Sequence, residues 1–268
     1  QQPDEEEAIR FLIDRSRWAD KKTFGLARNL CLLLSVGHRA IIMDDDVLCT
    51  TMAAPYAKEG LEFGSTAREA GFYSDHQQML SQTTPAGFDP LTGHSQCLGL
   101  NMGQATRKLA GRAIKPEDLA EANSSYLRLW QANSMVLVTQ CGTLGDPGSP
   151  VTDWIYFAES DTARRLSNFS GGIQGALASR CYWLGHPRPC FSKVAVMSQI
   201  TGLDNSQLLP PYFPVFRGED SLFGAMTEYL HPNSTVLSYS WSVPHLPIEQ
   251  RAGDPDPEPM SGKGMFTP

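Results

Sequence analysis

The sequence predicts an α/β fold with a mainly parallel central sheet flanked by helices. Two adjacent stretches lead there. FGLARNLCLLLSVG, residues 24–37, carries Ala27, Leu30, Cys31 and Leu34 at helical spacing and closes on Gly37, which suits the turn after a helix. RAIIM, residues 39–43, follows at once; it is apolar, too short for a helix and bounded by aspartates, and so reads as a buried strand. A helix feeding a buried strand is the unit of parallel α/β sheets. Further strand-like runs, SMVLVTQCG at 134–142 and STVLSYSWSVPHLP at 234–247, continue the pattern.

Composition sets the outer limits. With 268 residues, 41% hydrophobic and 19% charged, the chain can bury one large core. A single domain is expected over 1–250, with a variable insertion around 50–131 and a loose Pro/Asp/Gly-rich tail at 251–268. The net charge of −7 and the lack of a basic stripe argue against nucleic acid as a partner. No apolar run has the length of a membrane span and no signal peptide is visible, so a cytoplasmic location is expected, with peripheral membrane attachment and oligomer formation left open. The six cysteines form no CxxC pair, so zinc is not expected, and Cys31, Cys49 and Cys141 read as small buried thiols.

The remaining elements follow in order. Residues 4–17 read as a helix with acids in its first turn. KPEDLAEANSSYLRLWQAN, 115–133, reads as a helix begun near Pro116, and DPGSP, 146–150, as a loop. SNFSGGIQGALASRCYWLG starts in a glycine loop and goes on as helix or strand, while KVAVMSQITGLD reads as strand and turn. A proline-rich extended segment then leads into GEDSLFGAM, where an acidic pair opens an amphipathic helix.

Four features carry chemistry. Asp44, Asp45 and Asp46 follow the RAIIM strand, where α/β sheets collect ligands, and aspartates so placed can share a hard cation such as Mg²⁺ or Mn²⁺; helix capping is the competing explanation. Arg28 and Asn29 sit at the start of the preceding helix, with Lys21 and Lys22 nearby, a positive patch suited to a diphosphate. Glu219 and Asp220 open a helix anchored by Leu222, Phe223 and Met226, and a carboxylate fixed there can accept a proton from a hydroxyl. His245, bracketed by prolines at a strand end, offers a further metal ligand.

In this order the chain resembles the nucleotide-sugar-dependent glycosyltransferases of the GT-A fold, family 2-like, over residues 24–46 and 216–224. The resemblance implies metal on Asp44, Asp46 and His245, with Mn²⁺ or Mg²⁺ as cofactor. It implies a nucleoside-diphosphate sugar held by Arg28, Asn29, Asp44, Asp45 and the glycine turn Gly171–Gly172. Asp220 would be the base that takes the proton of a carbohydrate or other hydroxyl acceptor, with Glu219 positioning that acceptor; transfer would be inverting and, with no Q-x-x-R-W motif, non-processive. The family places two or three strands ahead of the ARN helix; here about 45 residues precede the aspartates, so either the first strands are missing from this chain or the fold is truncated. Two other classes fit parts of the pattern. One is a haloacid-dehalogenase-type phosphatase with Asp44 as nucleophile; the other is a non-catalytic sugar- or cation-binding module.

Overall fold

The computed structural model describes residues 3–64, 68–120, 122–148, 153–158, 160–196, 199–215 and 218–249; the expected tail at 251–268 lies outside them. Helix α1 (Pro3–Ile13) carries Asp4, Glu5 and Glu6 in its first turn. It stops short of residue 17 because Asp14 caps a separate 3-10 turn, Arg15–Trp18, accepting from the Ser16 N–H. Helix α2 (Phe24–Leu34) and strand β1 (Arg39–Met43) follow as expected.

The structure shows which face of α2 is buried and corrects the expectation that β1 is a buried strand. The stripe Ala27, Leu30, Cys31 and Leu34 faces outward, and the buried side of α2 is Gly25, Leu26, Asn29 and Leu32. The helix docks through the buried Leu26 and Leu32 together with close backbone approach and an amide. At Gly25 an added Cβ would overlap the Phe213 carbonyl, and the Asn29 side chain bonds both the N–H and the C=O of Tyr212. Strand β1, for its part, is a half-buried edge and not a buried central strand: it stands at the end of the sheet, and Arg39 and Met43 are exposed. Its isoleucines are apolar because Ile41 and Ile42 cover the core on opposite faces.

Next come β2 (Glu62–Phe63), β3 (Glu69–Phe72), α3 (His76–Gln82), α4 (Pro90–Ser95) and α5 (Met102–Ala110). The helix expected from Pro116 is a 3-10 turn, Pro116–Leu119, then α6 (Ser124–Leu129), which Asn123 starts afresh by accepting from the Ser125 N–H. Strand β4 (Val136–Gly145), α7 (Ser160–Asn168), α8 (Gly172–Ser179), β5 (Tyr182–Gly185), β6 (Cys190–Ser192), β7 (Ile200–Asp204), α9 (Glu219–Leu230) and β8 (Thr235–His245) complete the described chain. Among the described residues no helix is long and apolar enough to cross a membrane.

Among the described residues the sheet has eight strands, ordered β1-β7-β4-β8-β6-β2, with β5 on β4 and β3 on β5. It is mixed, not mainly parallel. Strands β4 and β8 run parallel at its centre, whereas β7 is antiparallel to both β1 and β4, and β6 is antiparallel to β8. The pairing nevertheless points β1, β4 and β8 the same way, so their carboxyl ends share one edge.

Side chains alternate between two covered faces. On one, Val136, Leu237, Tyr239 and Trp241 meet Cys97, Met102 and Trp130, so segment 50–131 supplies much of that layer as well as two strands. On the other, Leu137, Val138, Leu203 and Val236 meet Leu32 of α2 and Phe223 of α9. Of the thiols, Cys141 is buried as expected, while Cys31 and Cys49 are exposed.

Candidate metal and acceptor site

Because β1, β4 and β8 end together, the residues just past each end converge. After β1 come Asp44, Asp45 and Asp46; after β4 comes Asp146; β8 closes on His245, the register partner of Gly145. The strand ends are also tied by the backbone. Val47 bridges to His245, the Leu48 N–H donates to the Pro244 carbonyl, and the Leu246 N–H donates to the Asp46 carbonyl.

His245 is 2% exposed. Its Nδ1 lies 2.6 Å from the Asp146 carbonyl oxygen, and its Nε2 lies 2.9 Å from Oδ1 of Asp46. Both neighbours are acceptors. A neutral imidazole carries one N–H, so it can satisfy only one of them. A second proton or a cation at the nitrogen left over satisfies both neighbours at once. The Asp146 carbonyl is itself held, since its side chain pairs with Arg180 at 2.9 and 3.1 Å in a buried bidentate contact.

Of the three aspartates, Asp44 and Asp46 are half-buried and Asp45 is exposed. Burial raises the Asp44 carboxyl above its ordinary value of 3.8, the Arg28 and His245 charges work against that shift, and Asp46 and Asp45 add to it. Half-buried Asp44 and Asp46 beside a buried histidine are an electrostatic arrangement that a cation relieves. Among the described residues, however, Asp44, Asp46 and His245 do not bring one ligand atom each within 4.8 Å of one another, so the metal expected on all three is corrected to the pair Asp46 and His245. The Asp44 N–H donates to the Gln199 carbonyl, and the Gln199 side chain accepts from Thr143, which pins the turn to β7 and β4.

Arg28 connects this cluster to the second acidic pair. Its Nη2 lies 3.8 Å from Oδ1 of Asp44 and its Nη1 donates to Oε1 of Glu219 at 2.5 Å. The guanidinium also lies 5.6 Å from the centre of the Tyr212 ring, which stacks on Phe223 at 4.1 Å. Thus Gly25, Arg28 and Asn29 together dock the segment that delivers helix α9.

Asn29 was expected to meet a ligand, but the structure uses its amide internally. Its Nδ2 donates to the carbonyls of Leu12 and Tyr212, and its Oδ1 accepts from the Tyr212 N–H. Gly171 and Gly172 have φ of +78° and +54° and form the turn that starts α8. An eight-residue helix, about 12 Å long, separates them from Arg180 and its pair with Asp146.

Glu219 is 4% exposed, and its Oε2 is buried with no hydrogen-bond partner among the described residues. Asp220 is half-buried, and its Oδ1 accepts from the Ser221 N–H at 2.8 Å. It overlies Val138, Gln140 and Thr201 of the sheet. Gln140 belongs to a transverse row of register partners, Thr201, Gln140, Ser238, Cys190 and Glu62, polar except for the thiol. The Gln140 Oε1 is buried and unpartnered, while its Nε2 donates to Ser238. The Arg68 charge is near enough to bear on both Asp220 and His186.

Asp146, Arg180, Gln140 and Gln199 were not singled out from the sequence. Asp146 carries the same signal as Asp44, an acid directly after an apolar strand. The others carry no local signal, because what matters about them is their partner. Neither a protein-family model nor a curated protein nor a solved structure matches the chain.

Proposed function

We propose that the chain is a metal-dependent glycosyltransferase of the GT-A type, moving a sugar from a nucleoside-diphosphate sugar to an acceptor hydroxyl. The observation that carries this reading is His245 held between the Asp146 carbonyl and the Asp46 carboxylate, with Asp44 close enough to feel its charge. One carboxylate and one imidazole in contact offer Mn²⁺ or Mg²⁺ two ligands and keep further positions for phosphate oxygens. Asp46 and His245 would hold the ion directly, with Asp44 beside them.

When bound, such an ion supplies Lewis-acid stabilisation of a leaving diphosphate. The chain's own groups do the rest. Arg28 adds a fixed positive charge beside Asp44 and is itself steadied by Glu219. Asp220, at the first turn of α9, would take the acceptor's proton, and the packing of Phe223 behind it limits its motion. Glu219, buried against Arg28, orients that cation, a different role from the acceptor positioning first expected of it.

The test is a thermal-shift panel of UDP, GDP, CMP and dTDP, each with Mn²⁺, Mg²⁺ or EDTA. Ligand bound only by the native state raises the melting temperature by mass action. The reading expects a metal-dependent rise with one nucleotide, lost in Asp46→Ala and His245→Ala. No rise with any of them, together with hydrolysis of a chromogenic phosphate ester that Asp44→Asn abolishes, would replace the transferase with a phosphatase.

A further inference from the structure

Away from the aspartate cluster, the far edge of the sheet gathers a second set of ligand-type side chains. Glu62 of β2 and Cys190 of β6 are register partners in a parallel pair. Their neighbours Phe63 and Phe191 stack at 5.1 Å on the core face, which turns Glu62 and Cys190 to the opposite face together. His186 stands just past the end of β5, four residues before Cys190. One donor atom from each of the three lies within 4.8 Å of the other two.

His186 adds an independent observation. It is 7% exposed, and its Nδ1 is buried with no hydrogen-bond partner among the described residues. An unpaired buried ring nitrogen is costly unless something occupies it. Burial, helped by the nearby charge of Arg68, pushes the imidazole pKa down to about 4, so the ring is neutral near pH 7, the form that ligates metals.

We propose that Glu62, His186 and Cys190 form a binding site for a zinc-class divalent cation that fastens β2 to β6. Thiolate, imidazole and carboxylate together are a borderline-soft donor set, which selects Zn²⁺ over the hard ions suited to Asp46 and His245. Metal-bound donors in a tetrahedral zinc site sit about 3.3–3.8 Å apart by bond geometry, so the three atoms close on an ion by small side-chain adjustments. Binding releases the Cys190 proton to solvent, and the thiolate and the Glu62 carboxylate balance the two positive charges. Glu62 is only half-buried, which gives the ion a route in. Strand β2 has just two residues and lies at the sheet edge, so such a clamp has a clear structural use.

The site was invisible to cysteine counting. Its ligands come from strand register, and zinc-type spacing in the sequence is confined to the pair His186 and Cys190.

Cobalt titration of the purified, metal-stripped wild-type protein tests the proposal. Co²⁺ bound here produces a thiolate-to-cobalt charge-transfer band in the near ultraviolet with the visible bands of tetrahedral cobalt, and about one equivalent of Zn²⁺ abolishes both. The aspartate cluster contains no sulfur, so the charge-transfer band persists in Asp46→Ala and disappears in Cys190→Ser. The two sites therefore fail or succeed separately. Absence of the charge-transfer band in wild type at saturating Co²⁺ overturns the proposal, whether or not the cysteine variant folds. Persistence of the band in a folded Cys190→Ser protein overturns it as well.

Discussion

Arg28 and Glu219, 191 residues apart in sequence, share a 2.5 Å hydrogen bond where Glu219 is almost wholly buried. That contact joins the helix leading to the aspartates with the helix carrying Asp220. Removing the cation leaves a buried carboxylate without its partner. Arg28→Ala is therefore expected to cost about 3 kcal/mol of unfolding free energy, and Glu219→Gln in the same background should recover part of it. Urea denaturation of the four species gives the coupling. A loss below about 0.5 kcal/mol would reduce the pair to an ordinary surface contact.

Asp44 sets a pH dependence whose sign follows from its raised carboxyl pKa. The folded state binds that proton more tightly than the unfolded chain does. Ionising Asp44 therefore lowers stability as pH climbs through the interval between 3.8 and the raised value. Above that interval the cost is fully present, and below it the cost is gone. In metal-free protein, Asp44→Asn should raise the melting temperature at pH 7 by about 1–3 °C, a small effect because the side chain is 38% exposed and screened by solvent. The gain should vanish at pH 3. Equal melting temperatures at pH 7 would show that Arg28 fully offsets the burial cost.

Asp220 and Glu219 are adjacent in sequence, yet their variants should behave differently. Asp220→Asn keeps the shape of a half-buried residue and is expected to lower sugar transfer by about 10²–10⁴-fold with little change in melting temperature. Glu219→Gln should lower the melting temperature as well, since it weakens the contact to Arg28. Full transfer activity in Asp220→Asn would remove it as the base.

Helix α2 offers a contrast between its two sides. Gly25→Ala places a methyl against the Phe213 carbonyl and is expected to destabilise by about 1–3 kcal/mol. Leu34 is 87% exposed, so Leu34→Glu should change stability by no more than about 0.5 kcal/mol. Chemical denaturation of both variants checks the assignment. The reverse ranking would mean that the outer leucine stripe is the packed one.

Where a residue's meaning was local, it could be read directly. RAIIM is a strand, three aspartates stand at its end, Glu219 opens a helix, and β8 closes on His245. Each depends on neighbours within a few positions, through apolar runs, turn chemistry and helix ends. Leu30, Cys31 and Leu34 mark the helix correctly and show the limit of local reading. Their spacing marks an apolar stripe but does not say whether another element covers it, and the face of α2 that docks carries Gly25, Leu26, Asn29 and Leu32.

The same division separates the two candidate metal centres. The sequence by itself determined the α/β class, the element types around the site, and which acids and which histidine stand at strand ends, because those follow from short-range patterns. Only the tertiary structure decided that β7 enters antiparallel between β1 and β4, that His245 faces Asp46, that Arg28 reaches Glu219, and that Glu62 lies beside Cys190. These are pairings between distant segments, fixed by strand register and the packing of whole faces.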